Sequence, residues 1–571
     1  MSLPLPSVVF CFVVRATACA LLGLALLPQD AAAGSVTLEW HANGEPDIAG
    51  YRLVYGTQPG DYTLEIDVRN RTTFTVSDLA SGRYYFAVTA YNTAGMTSLP
   101  SGEMQVTIPP PSESPLPPEP PTTTSHRGYF AEGIAADGFE TRFALLNPTD
   151  DPAAVTMVFA DEEGIERTRA LELGPRTRAT LTARDLPELT ERTFSTRVEA
   201  DAPVVVDRTV TWGPGPEGDG REGAHLETML PAPSTKWYFT EGMTSPGWLD
   251  LFYHVHNPQD AAAEVRVTYL LAEGRSPEIR RYTIAPRSRL TIRVNDEGPP
   301  LDSSELSAIV ESTNSVPVIA ERAFYFSGRE EALVAGSASA GATAPSTQWC
   351  FGGGETGDYF DLFLALANPH DTAAEVRATY LLPTGRTVQR RYVLEPRSRK
   401  TVHVDYEGAD LGHTSMSTML ESANGVSFLA ERSMWWPGSP AGQWHGSHGT
   451  VGATRTSTRW ALAEGEVGGP ARVRTYLFVA NTSSTVGKAR VTLLFEDGTS
   501  AMRTYELPAR SHTGISVAHD FPESESRRFG ALVESVGTTP AALVVERALY
   551  WNADGRRRAA GAAALGSPLP R

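Results

Sequence analysis

The chain has 571 residues, 41% of them hydrophobic, and carries 67 acidic against 49 basic side chains, a formal net charge of −18 at pH 7. That length exceeds what one hydrophobic core supports and predicts several domains. The negative balance argues against nucleic acid or an anionic membrane surface as the main partner, because both are held by clustered Lys and Arg.

Residues 1–33 read as a secretory signal. The apolar run from Ala16 to Leu27 follows Arg15, and Ala31-Ala32-Ala33 offers a small-residue cleavage site. Residues 8–14 are apolar too, so the charge lies inside the stretch, and a single retained N-terminal anchor is the alternative. Cleavage removes Cys11 and Cys19 and leaves Cys350, which cannot close an intrachain disulfide or assemble a Cys-based zinc site. Export without disulfides predicts a bacterial protein that is secreted or displayed at the cell surface, with the periplasm as an alternative.

Residues 34–108 alternate apolar and polar positions (Val36, Leu38, Trp40; Tyr51, Leu53, Tyr55; Tyr84, Phe86, Val88), with Gly, Asn, Asp and Pro between the runs. Period-2 runs punctuated this way predict short half-buried strands. The segments "SVTLEW", "DIAGYRLVYGT" and "LASGRYYFAVTAYNTAG" resemble the B, C and E–F–G strands of a fibronectin type III domain. The resemblance implies a seven-stranded sandwich with Trp40 in its core and Tyr84 as corner tyrosine. Residues 109–127 form a linker: eight prolines fall between Pro109 and Pro121, so it should run as a stiff polyproline II spacer.

From 128 onward the sequence is four copies of one unit, at 128–236, 237–348, 349–459 and 460–571. Each opens on an aromatic hexamer: "GYFAEG", "WYFTEG", "WCFGGG" and "WALAEG". Each continues with a strand ending at Asn147, Asn257, Asn368 or Asn481, then a β-branched strand into a Gly turn, then "PRTR", "PRSR", "PRSR" or "PARS". Each closes on "VVVDRTVTW", "VIAERAFYF", "FLAERSMWW" or "LVVERALYW". About seven strands per unit and no helical period predict an all-β chain of tandem Ig-like or fibronectin-like sandwiches. The pattern resembles β-repeat units of uncharacterised exported bacterial proteins, which implies no activity.

The recurring charges are the candidate chemistry. Glu132, Glu241 and Glu464 end the hexamers, and an acidic residue followed by Arg208, Arg322, Arg432 or Arg547 closes the units. The third unit has Gly353 in place of the Glu yet keeps its other landmarks, so a structural Glu–Arg pair weighs more than a catalytic carboxylate. Cys350, second in its hexamer, reads as a small buried hydrophobe. "GPGPEG" at 213–218 has the spacing of a dinucleotide loop, but nothing helical follows to hold a pyrophosphate. The densest cluster is "MWWPGSPAGQWHGSHG" at 434–449. There Trp444, in a loop expected to be exposed, is the candidate ligand contact, with His445 and His448 beside it; two His with no carboxylate nearby make a weak metal claim.

No metalloprotease, hydrolase or nucleotide-binding motif occurs in the sequence, and no metal or cofactor is expected. The functional expectation is a monomeric, non-catalytic binding or adhesion protein. It would be an elongated string of sandwiches that gains reach and multivalency and contacts polysaccharide or a cell-surface protein through its loops. A spacer or accessory arm of a separate enzyme is the alternative.

Overall fold

The computed structural model describes residues 34–570, apart from 46, 80–81, 109–125, 137, 214–222, 272–274, 327–334, 438–443, 445 and 554–555. The signal segment, most of the Pro-rich linker, the "GPGPEG" loop and His445 therefore lie outside the described residues. The chain divides into two compact bodies, Met1–Pro118 and Glu119–Arg571. No helix among the described residues is long and apolar enough to cross a membrane.

The first body is a small sandwich. Gly34–Glu39 pairs with Thr73–Leu79, and Leu64–Arg69, Ile48–Gly56, Gly82–Asn92 and Met104–Ile108 form the facing sheet. Six strands stand among the described residues where seven were expected. Trp40 lies in the core, edge-on to Tyr51 at 5.9 Å. Tyr84 is half-buried, stacks on Phe86 at 6.2 Å and packs against the same core.

In the second body the second and third repeats are each built from two four-stranded antiparallel sheets; the first adds a two-stranded sheet, and in the fourth one of the two sheets has six strands. In the second repeat one sheet runs Lys236–Phe239, Leu306–Ser312, Ala263–Leu271 and Glu278–Ile284. The other runs Arg289–Arg293, Leu249–His256, Ile319–Phe326 and Ala335–Ala340. The hexamer is thus the first strand of its sandwich. The second and third repeats each have eight strands among the described residues, where the sequence predicted about seven. The last strand of the second repeat is made of small residues, "AGSASA", so it carries no apolar alternation to reveal it.

The repeats do not form the expected linear string. The last strands, Gly223–Thr228, Ala335–Ala340, Gly446–Val451 and Arg556–Leu565, pack against one another in a cycle, and the fourth meets the first. Small side chains permit the approach. A Cβ on Gly561 of the fourth repeat would lie 2.8 Å from the Trp436 ring of the third, and one on Gly336 would lie 3.0 Å from Trp212 of the first. Apolar cores run across the joints: Tyr129 and Ala131 of the first repeat and Trp435 of the third join the core of the second. Leu569, near the C-terminus, packs with Ala144, Leu146 and Val205 of the first repeat.

The closing strands show how one sequence element serves two neighbours. All eight residues of Ile319–Phe326 are buried. Successive side chains of a strand point to opposite faces, so both faces of this strand are covered.

Candidate functional site: the seams and the loop end of the third repeat

Four seams join the repeats, and the recurring residues build each in the same way. At the first, the Glu321 carboxylate of the second repeat accepts hydrogen bonds from the backbone amides of Ala131 (3.1 Å) and Glu132 (3.2 Å) in the first. Arg208 of the first repeat donates to Glu321 at 2.6 Å and to the Glu132 carbonyl at 2.7 Å. At the second seam, Glu431 accepts from the Thr240 amide at 2.7 Å and pairs with Arg322 at 2.5 Å. At the third, Glu546 accepts from Gly352 (2.8 Å) and Gly353 (3.2 Å) and pairs with Arg432 at 2.6 Å. The fourth seam closes the cycle: Asp207 of the first repeat accepts from the Ala463 and Glu464 amides and pairs with Arg547 at 2.8 Å.

The second Arg of the "PRSR" landmark also reaches across. Arg289 lies 3.8 Å from Glu162, Arg399 donates to Glu305 at 2.7 Å, and Arg178 approaches Glu464 at 3.4 Å and pairs with Glu496. His512 takes this position at the third seam and meets Ser417 at 3.0 Å. Buried charges of this kind hold only when every partner is present, because an unpaired buried ion costs several kcal/mol.

What varies is the filling around the hexamer Glu. Glu132 is 3% exposed and meets Arg208 at 3.1 Å, His225 at 3.3 Å, His254 at 3.5 Å and Tyr325 at 3.0 Å. Burial alone would raise its carboxyl, but His225, His254 and Arg208 outweigh that and hold it well below the ordinary range. Arg289 can only donate, so its 2.9 Å contact makes His254 Nδ1 an acceptor and leaves the ring proton on Nε2, toward Glu132. Glu241 pairs with Arg322 at 3.4 Å, and Glu464 meets Arg142 and Arg178 at 3.4 Å each. At the third seam the ring of Phe478 fills the space: a Cβ on Gly353 would lie 2.5 Å from it.

These carboxylates therefore sit in joints, with their oxygens committed to backbone amides and guanidinium groups. Arg208 and Arg322 pair with the hexamer Glu of their own repeats as well as with the next repeat. Arg432, facing Gly353, takes that residue's carbonyl instead. Cys350 is buried, and that burial keeps its thiol protonated.

The Trp444 cluster differs from expectation. His448 is buried, with its ring against Trp436 (5.4 Å) and Tyr550 (6.0 Å) and Nε2 at 3.2 Å from the Tyr550 hydroxyl; it belongs to the seam, where no surface ligand reaches it. Trp444 is half-buried, packed on Trp435 at 5.0 Å and edge-on to Phe363 at 6.2 Å, and its indole donates to Asp361 at 2.7 Å. It leads to a group the sequence reading missed: Asp361, His403 and Asp405, whose ligand atoms all lie within 4.8 Å of one another. Asp361 begins the strand Asp361–Asn368, His403 ends the paired strand Ser398–His403, and Asp405 lies in the helical turn that follows. The Gly357 and Leu362 amides, each at 2.9 Å, orient Asp405. Burial disfavours a charged His403 ring, yet Asp405 and Asp361 outweigh it and raise its pKa. Tyr406, 74% exposed, meets the His403 ring edge-on at 4.4 Å and gives this end of the sandwich an aromatic outer face. The residues are separated by 42 and 44 positions, so only cross-strand pairing of Phe363 with His403 would have revealed the group.

Residues 120–295 match the model of a family of unknown function, DUF5719; this span covers the first repeat and more than half of the second. No curated protein matches the chain. Among solved structures, Thermotoga maritima 1070 is 23% identical, covering 20% of this chain and 96% of its own, with a TM-score of 0.18. A fibronectin type III-like protein from Clostridium thermocellum is 28% identical over 14% of this chain and 79% of its own, TM-score 0.12. The Anabaena sensory rhodopsin transducer is 23% identical over 16% and 82%, TM-score 0.14. At TM-scores this low the likenesses carry no argument about this chain.

Proposed function

We propose that the protein is an exported, non-catalytic binding scaffold that acts as a monomer. Its second body presents four sandwich loop ends around a closed cycle. The observation that carries this reading is the fate of the recurring charges. The hexamer Glu residues, the closing Glu or Asp and the closing Arg are all consumed in seams, so a surface ligand has the loop ends left to contact. The third repeat's end, with Tyr406 outermost and Trp444, His403, Asp361 and Asp405 behind it, combines an aromatic face with carboxylates. The exposed ring suits a polyhydroxylated ligand, whose C–H faces pack on it, while the carboxylates behind it hold His403 and Trp444 in place. A polysaccharide is therefore the proposed partner, with a cell-surface protein as the alternative class.

Reach along a rod no longer supports the reading. Multivalency would come from fixed angular display, or from several molecules on one surface. A glycan and cell-surface binding screen with residues 34–571 tests it, alongside Tyr406→Ala and Trp444→Ala. The expected result is binding by the parent that falls at least tenfold in Tyr406→Ala with the fold unchanged. Binding to no surface or glycan would leave the rigid platform reading, a spacer or accessory arm. The closed cycle favours that reading to the extent that every seam is rigidly paired.

A further inference from the structure

The Asp361, His403 and Asp405 group has a second reading that does not depend on a glycan partner. His403 Nε2 lies 3.2 Å from Asp361 Oδ1 and 3.5 Å from Asp405 Oδ2. A hydrogen bond between an imidazolium and a carboxylate closes to about 2.7–2.9 Å. A tetrahedral metal with bonds of about 2.0–2.1 Å holds its donor atoms roughly 3.3 Å apart. The 3.2 Å contact is a hydrogen bond as it stands, and both spacings also fit the edge of such a coordination shell.

The outer layer is built as well. The Trp444 indole fixes the far oxygen of Asp361, and the Gly357 and Leu362 amides fix Asp405. Phe363 at 4.2 Å and Tyr406 bracket the imidazole ring. Oriented ligands of this kind raise metal affinity.

The second repeat shows what the same place looks like with a cation of its own. There Asp250 pairs with Arg293 at 2.9 Å, and Asn295 binds the Leu251 amide as Asp405 binds that of Leu362. The third repeat replaces the permanent guanidinium with a shorter imidazole and the amide with a second carboxylate. The result is one nitrogen and two oxygen donors around one point.

We propose that Asp361, His403 and Asp405 form a three-ligand site for a divalent transition-metal ion, with zinc the best match. The mixed nitrogen–oxygen set suits zinc and its neighbours, whereas calcium and magnesium call for six or more oxygens. His403 is partly open to solvent, which leaves the fourth position to water or to a donor group of a bound partner.

The test uses residues 34–571 without a histidine tag, stripped with a chelator and titrated with Zn²⁺ by calorimetry, and with Co²⁺ by visible absorption. The expected result is one equivalent of Zn²⁺ per chain, a tetrahedral Co²⁺ spectrum displaced by Zn²⁺, and a rise in Tm on zinc addition. Asp405→Asn installs the residue the second repeat already uses and should fold; it should weaken binding at least tenfold, as should His403→Gln. Trp444→Phe, which removes only the outer donor, should weaken it about tenfold. Absence of stoichiometric binding by the folded parent overturns the proposal. So does binding that survives unchanged in folded Asp405→Asn and His403→Gln, which would place the ion elsewhere.

Discussion

The first and third seams share a backbone frame and differ in what fills it. In both, a glutamate from the following repeat binds hexamer amides and an arginine from the preceding one. At the first, a second carboxylate, Glu132, is enclosed by Arg208, His225, His254 and Tyr325. At the third, Gly353 stands in place of the second carboxylate and Phe478 occupies the room beside it. His254 and Phe478 hold the same register, three residues before Asn257 and Asn481. The glutamate and the arginine are what the joint requires, and the space beside them accepts either a charged cage or an aromatic ring if both sides change together.

The largest effect that would break this comparison comes from removing the crossing glutamate. Glu546→Ala leaves two buried amides and Arg432 without their carboxylate and should cost about 4–5 kcal/mol, read as a shift in the urea unfolding midpoint. Glu321→Ala should cost less, about 3 kcal/mol, because Glu132 remains to pair with Arg208. Equal losses would mean that Glu132 adds nothing to its seam.

Next in size is exchange of the filling. Gly353→Glu alone drives a carboxylate into Phe478 and should cost about 3 kcal/mol. Combined with Phe478→His it recreates the Glu132–His254 pair, and a double-mutant cycle should return a favourable coupling of about 1 kcal/mol or more.

A pH effect of similar size separates the seams by their histidines. His256 meets Ser195 across the first seam at 2.8 Å, and His512 meets Ser417 across the third. Burial pushes His256 down to about 3 and His512 down to about 4. Both rings are neutral in the fold, while the unfolded chain protonates near 6.5. Their contribution is therefore complete above pH 6.5 and is lost as the pH falls toward 4, by about 3 kcal/mol for each ring. His256→Gln and His512→Gln should each flatten the fall of Tm between pH 6.5 and 4; an unchanged slope would show that the acid response arises elsewhere.

The smallest effect concerns the fourth seam, where Asp207 is one methylene shorter than its counterparts. One of its oxygens serves both hexamer amides and Arg547, and the other takes the Thr228 hydroxyl. Asp207→Glu should let the two oxygens divide the work, as they do in Glu321 and Glu546, and raise stability by about 1 kcal/mol.

The strands, the fourfold repetition and the all-β class were legible because apolar alternation and turn residues are local signals. The cyclic closure was not legible, because Glu321 and Ala131 are 190 residues apart and each looks like an ordinary strand residue. A trace was nevertheless present. "VIAERAFYF" has no polar face, and a strand without alternation is covered on both sides; in a sandwich exposed to water, the second cover has to be another domain. The Gly- and Pro-rich neighbours of Trp444 mark an exposed loop, yet its indole packs onto Trp435, a contact that composition does not reveal. The Asp361–His403–Asp405 group escaped because its members become neighbours only through strand register.

The four fillings also give each repeat an address. A repeat with Gly353 cannot receive the His254 face without leaving a cavity and a ring without its carboxylate. A repeat with Glu132 cannot receive the Phe478 face without burying a clash. Four domains of one ancestry-like pattern, all offering the same glutamate and arginine, would otherwise dock in any order or onto a second molecule. Mismatched volumes and unpaired charges penalise the wrong partners more than the right ones are rewarded, so the order of docking around the cycle is written into the places where the copies disagree.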